Sequence, residues 1–182
     1  KALFAVVIMT AVFGLVDVHE VKYLWKVDRA DLALLVLTFV ATLTLGIEAG
    51  IGLGVGASML WFVVRTTRPH TAILGRLPGT TSYRNLERYP EAERIPGVLA
   101  LRIDASFYFG NVTFLKQTLS RELAADPTIR AVVIDASSIN RLDSSADAAL
   151  RELVEDLRGR EIRLVLAGVK GPVADTMKRS GL

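Results

Sequence analysis

The 182-residue chain contains no cysteine and only two histidines, His19 and His70. Without cysteine there is no disulfide framework, no thiolate metal site and no cysteine nucleophile. Two histidines so far apart in sequence make a histidine-based metal site improbable, and no cofactor is expected. Charge is scarce in one part only. Residues 1–64 hold four Lys/Arg and five Asp/Glu, against 18 and 14 in residues 65–182. The net charge of +3 is small and its cations are scattered, which argues against nucleic acid as a partner. Arg68-Pro69-His70 reads as a flank to the apolar segment before it.

Apolar residues make up 51% of the chain and the mean hydropathy is +0.39, high for a soluble protein of this length. Residues 2–16, "ALFAVVIMTAVFGLV", carry no charge, and residues 32–64 carry only Glu48. Lys1 ahead of an apolar run has the outline of a signal peptide. Residues 14–20 offer no small-residue cleavage site, however, and more apolar segments follow. A straight span needs about 20 apolar residues, so residues 32–64 are too many for one helix and too few for two full ones. The expected solution is a turn at residues 46–50 joining antiparallel helices over 32–45 and 51–64, each about 21 Å long. Helices that short imply a larger bundle, with further members upstream of Lys1.

Lys22, Lys26 and Arg29 lie between the two apolar stretches, and Arg65, Arg68 and Arg76 follow the second. The positive-inside tendency then puts residues 17–31 and everything after Arg65 in the cytoplasm, with Glu48 outside. The connector "VHEVKYLWKVDRAD" places Val18, Val21 and Trp25 on one helical face. This suits an interfacial amphipathic helix with Trp25 and the lysines at headgroup level, a polar loop being the alternative.

Gly52, Gly54 and Ala57 form a G-x-G-x-x-A string. A dinucleotide-binding turn of that type follows a strand and meets an acidic residue about 20 positions later. Residues 74–77 hold no carboxylate, and the preceding apolar run is too long for a strand. Glycines at 46/50, 50/54 and 52/56 repeat instead at the four-residue spacing that lets membrane helices approach closely. Gly46, Gly50, Gly52, Gly54 and Gly56 are therefore expected to pack membrane helices.

After Pro69 the character changes. Residues 76–97 contain two Pro-Gly pairs and no hydrophobic period, which predicts a linker or extended arm that Tyr83 and Tyr89 pin to a surface. An alternating pattern follows. "VLALRID" predicts a strand, and Phe107–Phe109 a short second one. Val112, Leu115, Leu119 and Leu123 predict a helix ended by Asp126-Pro127. "IRAVVIDAS" and "IRLVLAG" are strands flanking a helix from Ser144/Ser145 to Gly159. Gly171-Pro172 opens a last helix, with proline in the first turn. Such alternation predicts a sheet with helices packed on it, and the abrupt end predicts a missing strand and helix.

"INRLDSSADAAL" places Asp143, Ser144 and Ser145 where a helix starts. Asp or Ser there is an ordinary N-cap. A phosphate on a serine at that point would meet free N–H groups and the positive end of the helix dipole, with Asp143 adding repulsion. Asp135, Asp143 and Asp147 lack the spacing of a cation site.

Together these segments resemble the C-terminal part of a sulfate permease (SulP) family inorganic anion transporter with its STAS domain. The blocks that carry the likeness are "DLALLVLTFVATLTLGIEAGIGLGVGAS", "VVRTTRPHTAILGRLPGTTSYRNLERYPEAERIPGVLALRIDASFYFGN" and "VVIDASSINRLDSSADAAL". Within the middle block, R-P-H, L-G-R-L-P-G-T, Y-R-N and P-G-V-L-x-L-R-x-D are the specific elements. The resemblance implies a multi-domain, plasma-membrane transporter with core and gate domains that works as a homodimer by an elevator-like movement. Residues 1–66 would be the last transmembrane helices of the gate, residues 67–96 a linker, and residues 97–182 an α/β STAS domain with a mixed sheet, incomplete at its C-terminus and cytoplasmic. The inorganic anion (sulfate, bicarbonate or similar) would bind in the core domain upstream, so no catalytic or substrate-binding residue is assigned in this chain. Anti-sigma factor antagonists share the STAS fold, and their phosphorylated serine follows the Asp of a D-S-S-G motif. That serine corresponds to Ser144, with Ala146 in place of the glycine. Membrane lipid and a cytosolic regulatory protein are the expected partners. The alternative is a membrane-anchored STAS regulatory module acting by phosphorylation-dependent partner binding. An α/β enzyme lacks a nucleophile–base pair, a metal cluster and a phosphate loop.

Overall fold

The computed structural model describes residues 17–182. The apolar stretch expected to form a first span over residues 2–16 lies outside the described residues. The chain divides into two compact units, one running to Val63 and the other from Val64 to Leu182.

The described part of the first unit is helical. Helix α1 (Val18–Val27) starts where the Asp17 carboxylate accepts the His19 and Glu20 N–H groups, so the connector is a helix rather than a polar loop. Trp25 is exposed, and the Arg29 guanidinium lies over its ring at 5.4 Å. Asp28 caps α2 (Arg29–Leu45) by accepting the Ala30 N–H. Helix α3 (Ile47–Thr67) follows after a single residue. The expected five-residue turn is therefore corrected. Gly46 makes it alone at a φ of 91°, a conformation that side chains with a Cβ disfavour. Glu48, Ala49 and Gly50 lie in the first turn of α3 instead. The two helices reach 17 and 21 residues, not 14 each, and α3 is long and apolar enough to cross a membrane.

The second unit is built on a five-stranded mixed sheet in the order β2-β1-β3-β4-β5. Strands β1 (Thr71–Arg76) and β2 (Tyr83–Asn85) are antiparallel, and β1 is also antiparallel to β3 (Val98–Ile103). Strands β3, β4 (Ala131–Asp135) and β5 (Arg163–Ala167) run parallel, joined through α4 (Val112–Ala125) and α5 (Ser144–Gly159). Helix α6 (Gly171–Ser180) follows β5 and stops at Gly181, which is left-handed at φ 78°. The segment expected to be a linker thus supplies two strands. Its alternation was masked by Gly75, Pro78 and Gly79 and by the three-residue length of β2. Phe107 forms only an isolated bridge to Leu142, not the expected second strand.

One core holds this unit together. Leu99, Leu101 and Ile103 of β3 and Val132 and Ile134 of β4 face Leu115 and Leu119 of α4, Leu150 and Leu157 of α5, and Val173 of α6. Burying each such side chain contributes about 1.5–3 kcal/mol. All three helices pack on that face. The other face carries a smaller cluster of Ala72, Leu74 and Ala100, and leaves Val165 exposed.

Candidate functional site

The start of α5 is where the sequence places its chemistry. β4 ends at Asp135, and residues 136–143 cross the end of the sheet before the helix begins. Asp143 is extended (φ −87°, ψ 171°), which aims its carboxylate back at the helix. Oδ1 accepts the Ala146 N–H at 2.7 Å, while Oδ2 accepts the Phe109 N–H at 3.0 Å. One carboxylate thus caps α5 and fastens the loop after β3. Asn111, almost fully buried, holds that loop from the other side: Oδ1 accepts the Tyr108 N–H at 3.1 Å and Nδ2 donates to the Ser106 carbonyl at 2.8 Å. Phe109 is held outward and largely exposed, edge-on to Tyr108.

Ser144 and Ser145 occupy the first two positions of α5, and both are exposed. Their hydroxyls are open to solvent beside the helix N-terminus. Ala146, where the related motif has glycine, is completely buried. Asp147 points away and is buried against α6. It accepts the Ser180 hydroxyl at 2.7 Å and faces Arg151 at 3.4 Å, and Arg151 also donates to the Ser180 carbonyl. Asp135 accepts the Ser137 N–H at 3.0 Å. These three aspartates are therefore committed to separate local bonds. Among the described residues no group of three or more His, Cys, Asp or Glu is arranged to hold a metal ion.

The structure separates the five glycines of the first unit. Gly50 and Gly54 face α2. A Cβ on Gly50 would lie 2.6 Å from the Thr42 Cα, and one on Gly54 2.5 Å from the Thr38 Oγ1. Thr38 and Thr42 turn their hydroxyls onto their own helix, at the Leu34 and Thr38 carbonyls, which leaves a flat surface for the glycines. Gly52 and Gly56 lie on the other side of α3, where a Cβ would meet nothing within 4 Å among the described residues. Gly46 is the turn.

A second polar cluster has no role in the sequence reading. His70 Nδ1 lies 2.9 Å from Asp104 Oδ2, Arg102 Nε donates to Asp104 Oδ1 at 2.7 Å, and the Ser138 hydroxyl stands 3.5 Å from that oxygen. Burial works to raise the Asp104 carboxyl, but the hydrogen bonds from Arg102 and His70 outweigh it and hold the group below the usual carboxylate range. The same contact holds the Arg102 guanidinium above its ordinary value, against a smaller opposing effect of burial. The antiparallel register that sets Thr71 beside Ile103 brings the residues together. Their signal was in plain view: R-P-H and L-R-x-D are two of the blocks that carry the family likeness.

Residues 89–182, more than half of the chain, match the family described as the STAS domain. The chain belongs to the STAS domain family. The Asp143–Ser145 helix start and the His70–Asp104–Arg102 cluster are both features of the unit that carries the STAS domain. The likeness to the sulfate permease family extends well beyond that domain. Sulfate transporter 4.1, chloroplastic, of Arabidopsis thaliana is 39% identical over 98% of this chain and 27% of its own length. High affinity sulfate transporter 2 of Stylosanthes hamata is 35% identical over 95% of the chain and likewise 27% of its own. The chain thus spans little more than a quarter of the length of the curated relatives it matches. The solved structure of the murine Solute Carrier 26 family member A9 anion transporter, in the inward-facing state, shares the fold. Its TM-score is 0.83 at 24% identity, over 99% of this chain and 29% of that one. These relatives are named as sulfate or anion transporters.

Proposed function

We propose that this chain is the membrane-exit and regulatory portion of a secondary anion transporter that moves sulfate, bicarbonate or a similar inorganic anion. The observation that carries the proposal is the 39% identity to a sulfate transporter along 98% of the chain, membrane unit included. In this reading residues 1–66 are gate helices in contact with lipid, residues 67–96 join them to the STAS domain, and the transporter is a homodimer in the plasma membrane. The basic residues Arg65, Arg68 and Arg76 that follow the apolar run keep the STAS domain on the cytoplasmic side. The anion binds in the core domain upstream, no residue of this chain touches it, and no enzymatic step is involved. Gly50 and Gly54 pack α3 on α2, while Gly52 and Gly56 leave the opposite face smooth for a further helix.

The second reading concerns regulation: Ser144 is a phosphosite, with Asp143 and Ser145 beside it, through which a cytosolic protein is bound or released. Its support is the exposure of both serines at a helix start where the Ala146 N–H already donates to an anionic cap. The same site would serve a membrane-anchored regulatory module.

Uptake of labelled sulfate and bicarbonate by the full-length gene product in proteoliposomes, under imposed proton or sodium gradients, tests the first reading. Saturable uptake suppressed by competing anions is expected. Failure of a broad anion panel with well-folded protein would refute transport and leave the anchored regulator. A soluble-domain deletion in the same assay reads what the STAS domain contributes.

A further inference from the structure

An open cleft of about 800 Å3 lies between the loop that leads into α5 and the exposed side of α6. Arg141 and Leu142 form one wall, and Pro172, Asp175, Thr176, Lys178 and Arg179 the other. Lys170 stands beside it, its Nζ 2.6 Å from the Asn140 side chain. Among the described residues none of Arg141, Lys170, Lys178 and Arg179 forms an ion pair. Asp175 is the only carboxylate among the lining residues. Lys170 and Arg179 hydrogen-bond only to neutral acceptors, so the cations around the cleft still repel one another and an incoming anion relieves that repulsion.

We propose that this cleft docks an acidic polypeptide segment of a cytosolic protein. The proposal deepens the regulatory reading above and rests on it for the idea of a partner at the STAS domain. Size and shape select the occupant. A single inorganic ion fills a small part of 800 Å3. An extended chain can place carboxylates against Arg141, Lys178 and Arg179 while its apolar side chains reach Leu142 and Pro172. Leu142 is two residues from Ser144, so a phosphate on that serine adds negative charge at the rim and opposes the docked segment.

The test uses the full chain in phosphatidylcholine nanodiscs and a fluorescent peptide of five Glu-Leu repeats, read by anisotropy. Binding is expected at low salt. R141E/K178E should weaken it by about tenfold or more, and R141Q/K178Q by less. R158E/R163E, whose residues border a different part of the surface, should leave it unchanged. Equal losses in both charge-reversal pairs, or no binding, would overturn the proposal. Binding of phosphatidylserine vesicles but not the peptide, lost in R141E/K178E, would replace the peptide with a membrane surface. Loss of both to competing inorganic phosphate alone would reduce the cleft to an ion site. Phosphoserine at position 144 separates the two readings. Peptide affinity unchanged by the phosphate would overturn the regulatory role of Ser144 and leave the docking surface standing.

Discussion

Replacing Asp143 by alanine removes two acceptors at once. The Ala146 N–H loses its cap at 2.7 Å, and the Phe109 N–H loses its partner at 3.0 Å. Loss of an N-cap carboxylate or hydroxyl costs about 1 kcal/mol, within a range of roughly 0.5–2. The second bond, to a largely exposed loop whose N–H can turn to water, adds about 0.5–1 kcal/mol. Asp143→Ala should therefore destabilise the STAS domain by about 2 kcal/mol, a fall of roughly 5–10 °C in Tm for a unit of this size. Asp143→Asn separates the contributions. Its amide oxygen still caps Ala146 with nearly full strength, but its NH2 cannot accept from Phe109, so only about 0.5–1 kcal/mol should be lost. Denaturant unfolding of the full chain, followed by Trp-independent far-UV signals, gives the totals. Hydrogen exchange resolved to single amides gives the split: Ala146 and Phe109 both lose protection in the alanine variant, Phe109 alone in the asparagine one. Equal damage from both variants, or a change within about 0.3 kcal/mol for alanine, would refute the shared-acceptor reasoning.

The glycines give a pair of substitutions that differ in sign. Gly50→Ala drives a Cβ into the Thr42 backbone and should cost about 1–3 kcal/mol. Gly52→Ala meets open space among the described residues and should gain several tenths of a kcal/mol in helix propensity; unfolding titrations in mixed micelles read both. Asp104 contributes a pH dependence. Its folded carboxyl titrates below its ordinary value, so its stabilisation is fully present above the unfolded value near about 4 and is lost as the pH falls through the lower folded one. Tm measured from pH 6 to pH 3 should therefore fall less steeply in Asp104→Asn than in the parent chain; identical slopes would count against the pairing. His70→Ala should leave Arg102 on Asp104 and cost less than 1 kcal/mol, because His70 is more than half exposed.

Much of the architecture was legible because local signals agreed with one another. Helices α4 and α5 kept the bounds expected of them and α6 its expected start, since Asp126-Pro127, Asp143 and Gly171-Pro172 mark those points by backbone chemistry that tertiary contacts do not override. The β1–β2 hairpin was hidden for the opposite reason. Gly75 reads as a breaker, yet its lack of a Cβ is what admits Leu86 and the Glu93 carbonyl beside β1. Glycines at four-residue spacing announced close helix packing but not the choice between two faces of α3, which the positions of Thr38 and Thr42 decide. At the candidate site, Asp143 was legible as a cap and the serines as exposed neighbours. Its second bond was not, because Phe109 is 34 positions away and only the path of the chain across the sheet end brings it near. The His70–Asp104 contact spans the same sequence distance: R-P-H and L-R-x-D were visible as motifs, but their pairing was not.

Helix α3 ends at Thr67 and β1 begins at Thr71, so three residues separate an apolar helix from an inner strand of the sheet. β1 is hydrogen-bonded on both sides, to β2 and β3. Both sides of β1 are therefore occupied, and a substitution that breaks its backbone disturbs two ladders at once. With β1 covered on both sides, the open edges of the sheet among the described residues are β2 and β5, and a further strand can join this unit only there.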